Sequence, residues 1–92
     1  MIEISIYFKS NYKDVIVDTL LSEGFDNFYF FECKKYSSRL LKSTKEMVTG
    51  RVDFAKFELF VKNENKDRII NKLYSMISKN ELSIYVRDLH EV

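Results

Sequence analysis

Ninety-two residues make one domain, and 46% hydrophobic against 32% charged residues exclude a disordered chain. A formal charge of +1 excludes a binder of polyanions along its whole length, so any basic character has to be local. The absence of proline, and only two glycines (Gly24 and Gly50), exclude long flexible linkers.

Met1-Ile2-Glu3-Ile4-Ser5-Ile6 alternates like a strand rather than opening with a basic, then continuously apolar, secretory leader. A single cysteine, Cys33, rules out an internal disulfide framework and fits a reducing compartment. No stretch approaches the length of a membrane-spanning segment. The expectation is a cytoplasmic protein.

In chain order, Ile2, Ile4, Ile6 and Phe8 alternate with polar positions and predict the first strand. Asn11 is placed to cap a helix, with Asp14 near its positive end. Val15, Ile16, Leu20 and Leu21 recur at helical spacing until Gly24 supplies a stop. Phe28 to Cys33 is an aromatic run of strand length. A third strand is predicted from about Arg51 to Lys62. Its apolar residues change phase from Val52 and Phe54 to Phe57, Leu59 and Val61, which suggests a bulge near Ala55–Lys56. Ile69, Ile70, Leu73, Met76 and Ile77 mark a second helix closed by Asn80, and Leu82, Ile84 and Val86 a last strand.

The order is an α+β ferredoxin-like β-α-β-β-α-β sandwich over residues 1–92. Two helices would cover one face of a four-stranded antiparallel sheet, with the first and third strands central. Tyr7, Phe60 and Tyr85 then face away from the helices, joined by either Phe28/Phe30 or Tyr29/Phe31. So aromatic a face calls for a cover, either another copy of the chain or stacked bases, the alternative being a partly exposed aromatic surface with no partner.

Between the halves lies the 36–51 connection. Ser43 and Glu46 have capping-box spacing and Gly50 can end a short helix. From Lys34 to Arg51 there are six basic residues and a single acid, Glu46, so the positive charge of the chain is concentrated here. Arg39 and Arg51 can grip a phosphate or carboxylate bidentately, with Lys42 as a further cation and Ser37 and Ser38 as donors. This is the pattern of a small-anion site, although a basic connection is also compatible with plain solvation. No glycine-rich phosphate loop is present.

Catalysis finds little support. His90 is the only histidine, and Cys33, in an aromatic strand, is expected to be a small buried hydrophobe rather than a nucleophile. One Cys and one His, even helped by Glu32 or Glu91, fall short of a convincing metal set. Ser37 and Ser38 have no identifiable base. The chain is therefore expected not to be an enzyme. An RNA- or DNA-binding module using the aromatic sheet is the alternative, since the RRM shares this element order. Against it, Arg51-Val52-Asp53-Phe54-Ala55-Lys56-Phe57 only loosely echoes the RRM third-strand motif, and the total charge is near neutral.

At the connection, Ser37-Ser38-Arg39 followed by Ser43-x-x-Glu46-x-Val48-x-Gly50-Arg51 resembles a family of small PII-like proteins often encoded beside heavy-metal efflux pumps. The resemblance implies a ferredoxin-like subunit in a homotrimer, with the sheets packed toward the centre. It also implies that residues 36–50 correspond to the loop through which PII proteins contact partners, with small ligands bound between subunits near its base. Arg39, Gly50 and Arg51 are the positions carried over, and a transport or efflux protein is the implied partner. Members often place histidine beside Ser-Ser-Arg, whereas Tyr36 and Leu40 flank it here, so no metal-sensing loop is implied. The motifs of nucleotide-binding PII proteins around this loop are also missing.

Overall fold

The computed structural model describes residues 1–36 and 52–92. Four strands, β1 (Ile2–Lys9), β2 (Tyr29–Lys35), β3 (Val52–Val61) and β4 (Leu82–Asp88), alternate with helices α1 (Lys13–Ser22) and α2 (Lys66–Met76). They form one antiparallel sheet in the order β2-β3-β1-β4. This is the βαββαβ, ferredoxin-like arrangement, with β1 and β3 central as the element order predicts.

The even residues of β1 form the floor of the core: Ile2, Ile4, Ile6 and Phe8 are all buried. Across from them β3 contributes Ala55, Phe57 and Leu59, and the helices contribute Ile16, Leu20, Ile69 and Leu73. Phe57 is the hub of this layer. Its ring stacks on Phe8 at 5.1 Å and meets Phe28 and Phe30 at 5.2 and 5.3 Å. Phe28 and Phe30 thus lie on the helix side, which puts Tyr29 and Phe31 on the open face.

The predicted bulge in β3 is absent. Its pairing with β1 runs without interruption from Val61 to Phe54, and with β2 from Glu58 to Val52. The phase change arises because β3 is apolar on both sides: Phe57 and Leu59 point to the helices, while the buried Val52 and Phe54 have the opposite parity.

The helix ends differ from expectation in three ways. Asn11 does not cap α1; it lies in a 3₁₀ turn over Ser10–Tyr12, and Tyr12 occupies the cap without a side-chain bond. Helix α2 stops at Met76, because Ile77 is already extended and turns its side chain into the core. The following turn is organised by Ser78 rather than Asn80: its carbonyl accepts from Glu81 N–H at 2.9 Å and its hydroxyl from Asn80 N–H at 3.2 Å. On α1 the buried stripe is Ile16, Thr19 and Leu20, leaving Val15 and Leu21 exposed. Gly24 acts as predicted. At φ +89° it lets its own N–H reach the Leu21 carbonyl and Phe25 N–H reach that of Leu20, the paired bonds of a Schellman motif.

Candidate functional site

On a strand, side chains alternate between faces, so the odd positions of β1, β2 and β4 and the even positions of β3 build the open side of the sheet. The pairing registers align them in rows. One row runs Phe31–Lys56–Tyr7–Ser83, and the next Tyr29–Glu58–Ser5–Tyr85. A third places Phe60, Glu3 and Arg87 side by side.

A concavity of about 700 Å³ opens on this face. Its lining includes the rings of Tyr7, Phe54 and Tyr85 and the cations Lys35, Lys56 and Arg87, with Lys34 as a further cation. Glu3 is the only acid among the described residues of the lining. Tyr7 and Tyr85 meet edge to face at 5.9 Å, and Lys35 Nζ sits 4.9 Å from the centre of the Phe54 ring. Lys56 Nζ lies over both Tyr7 and Phe31, at 5.4 and 5.6 Å, and is paired with Glu58 at 2.8 Å. That carboxylate raises the Lys56 pKa above the ordinary lysine value.

Glu3 is the buried charge of the site. Its side chain is 8% exposed, whereas that of Arg87, which covers it, is 73% exposed. Arg87 donates to Glu3 Oε1 through Nε at 3.1 Å and through Nη2, while Ser5 Oγ donates to Oε2 at 3.2 Å. The Arg87 hydrogen bond holds the Glu3 pKa below the usual glutamate value despite burial, which acts the other way.

The proposed ligand residues Ser37, Ser38, Arg39, Lys42, Gly50 and Arg51, and the Ser43/Glu46 capping box, lie outside the described residues. What is described is where their segment attaches. Lys35 at the end of β2 faces Val52 at the start of β3, so the connection leaves and rejoins the sheet at neighbouring positions, and Lys35 itself lines the concavity. Glu3, Lys56 and Arg87 escaped the sequence reading. Glu3 and Arg87 are 84 positions apart, and only the β1–β4 register brings them together.

Cys33 is not the buried hydrophobe expected of it; it is half-buried on the open face beside Phe54 and lines the concavity. His90 lies elsewhere, in a second depression with Met1, Tyr29 and Phe60. No three potential metal ligands converge among the described residues. No helix among them is long and apolar enough to cross a membrane.

No curated protein matches the sequence significantly. Among solved structures, 176 chains match the fold. One is CPII, a nitrogen regulatory PII-like protein from Thiomonas intermedia K12, in a structure bound to ADP, AMP and bicarbonate. It superposes with a TM-score of 0.75 at 12% identity, over 96% of this chain and 88% of CPII. The fold is therefore PII-like as well as ferredoxin-like. A family model matches residues 1–92 from end to end, and the chain belongs to that family, described as "Protein of unknown function (DUF3240)".

Proposed function

We propose that this protein is a PII-like regulatory or accessory subunit that acts by binding rather than by catalysis, taking up a small anion beside the 36–51 connection. The observation that carries this reading is the concavity beside the attachment points of that connection, where Lys35, over the Phe54 ring, joins Lys34, Lys56 and Arg87, which are paired to Asp53, Glu58 and Glu3. Arg39, Lys42 and Arg51 would bring further cations from the connection itself, and their contacts to the anion would bias that segment toward one conformation. Flat rings beside cations suit an anion carried on a planar body. Nucleotides and bicarbonate, found with CPII, are the first probes to try.

The open face supports assembly into a homo-oligomer, with a trimer as the expected state. Tyr29, Phe31, Phe60 and Tyr85 are exposed together on it, a surface too apolar to leave in water. Covering it with further copies would put the concavity at a subunit boundary. A partner in metal-efflux or transport machinery is the remaining part of the proposal and rests on the family resemblance alone.

Light scattering tests the assembly: a trimer mass is expected at micromolar concentration. A monomer would refute it and favour single-stranded RNA or DNA stacking on the same rings. For the ligand, a thermal-shift screen of adenine nucleotides, bicarbonate, phosphate and divalent metals should stabilise the native state selectively. Loss of the shift in Arg39→Ala and Arg51→Ala is expected. Shifts that survive both substitutions would place the anion elsewhere.

A further inference from the structure

Arg87 is the exposed cation of a pair whose other member is buried. Its guanidinium spends Nε and Nη2 on a single oxygen of Glu3, and both residues line the concavity. An anion entering the concavity therefore meets Arg87 already engaged by a carboxylate. We infer that the Glu3–Arg87 pair is a proton-coupled latch, in which an anion takes the guanidinium and Glu3 binds a proton from solvent as it is released. The inference rests on the concavity being an anion site, as proposed above.

The reasoning follows from what else surrounds Glu3. From β4 it faces Arg87; on β3 Glu58 stands two positions from its partner Phe60 and Lys56 four, the Lys56 charge reaching Glu3, and Lys62 follows directly after the strand. Lys56 is held by Glu58 at 2.8 Å, so it is a poor replacement counter-charge. On β1 itself, Ser5 supplies a neutral donor to Oε2. Once Arg87 turns to the anion, Glu3 keeps one neutral hydrogen bond and faces the negative charge of the bound anion in place of a cation. Such a group lowers its free energy by taking a proton. The exchange balances: one proton enters from solvent, Glu3 becomes neutral, and the positive charge of Arg87 passes to the ligand. Anion affinity then rises as pH falls, by up to about tenfold per pH unit where a full proton is taken up.

Sulfate is a suitable probe because its charge is constant through the pH range of interest. Calorimetric titration of the full chain with sulfate from about pH 8 to about pH 5 spans the approach to the glutamate range. Each point is repeated in two buffers of different ionisation enthalpy. Wild type should bind more tightly as pH falls, with a heat that depends on the buffer. Glu3→Gln keeps the side-chain volume but frees Arg87 of a competing charge. It should bind sulfate roughly tenfold more tightly at the upper pH and lose both the pH slope and the buffer dependence. Sulfate binding by wild type with no pH slope and no buffer dependence overturns the latch but leaves the anion site standing. A slope that persists in Glu3→Gln overturns it too. If neither protein binds sulfate at any pH, the anion site itself is wrong and the latch falls with it.

Discussion

Replacing Gly24 by alanine separates a conformational cost from a steric one. The backbone sits at φ +89°, where a side chain is strained, yet a Cβ built there meets no atom within 4 Å. Nothing needs to move aside, so the cost is that of placing an L-residue in the left-handed region, about 1–2 kcal/mol. Alanine also narrows the unfolded ensemble, which offsets roughly 0.4–1 kcal/mol of this. A net loss of about 1 kcal/mol remains, or a fall in Tm of about 4–8 °C for a domain of this size. Asparagine tolerates the same region better and should cost less than alanine. Thermal and urea unfolding followed by circular dichroism would measure both variants. Stability unchanged in Gly24→Ala, or equal losses for the two, would refute the account of how α1 ends.

Three further outcomes are expected. Phe57→Ala removes a ring packed against three others and should cost about 4 kcal/mol, seen as a lower urea midpoint with an unchanged slope. Tyr74→Phe takes away the hydroxyl that accepts Ile84 N–H at 2.9 Å on β4, and about 1 kcal/mol with it. Because Arg87 lowers the folded-state pKa of Glu3, the pair stabilises the fold fully above the ordinary value of 4.5 and progressively less as pH falls through the lowered one. The advantage of wild type over Glu3→Gln in urea midpoint should accordingly be constant near neutrality and shrink below about pH 4.5.

Strand and helix identities were legible because each element repeats one simple period. Ile2, Ile4, Ile6 and Phe8 alternate cleanly, and Ile69 and Leu73 recur at helical spacing; all are buried. The PII-like fold was legible through element order together with the spacing of serines, Glu46 and the Gly50-Arg51 exit. Errors came where one segment serves two surfaces. Val52 and Phe54 are apolar on the open face, so β3 reads as a strand that changes phase although its register is continuous. Val86 has the parity of a core residue but lies near the end of an edge strand and is exposed. Capping residues misled because a 3₁₀ turn precedes α1 and the core captures Ile77 before Asn80 is reached. In the site, Lys34 and Lys35 were visible as local charge. Glu3 and Arg87 are ordinary surface charges until the register makes them neighbours.

The uninterrupted β2–β3 ladder has a consequence for how this chain tolerates change. In a tight hairpin the turn dictates which residues face each other, and inserting one residue there shifts every pair. Here the two strands are joined by the long 36–51 connection, so alignment has to come from the strands themselves. Phe30 opposite Phe57 and Cys33 opposite Phe54 supply it, and the exposed Lys34–Asp53 pair at 2.5 Å adds little. Length in the connection is therefore nearly independent of the sheet, since the entropy of closing a chain segment grows by only about 0.6 kcal/mol per doubling of its length. Insertion and deletion between Tyr36 and Val52 should therefore leave the pairing of the two strands in register.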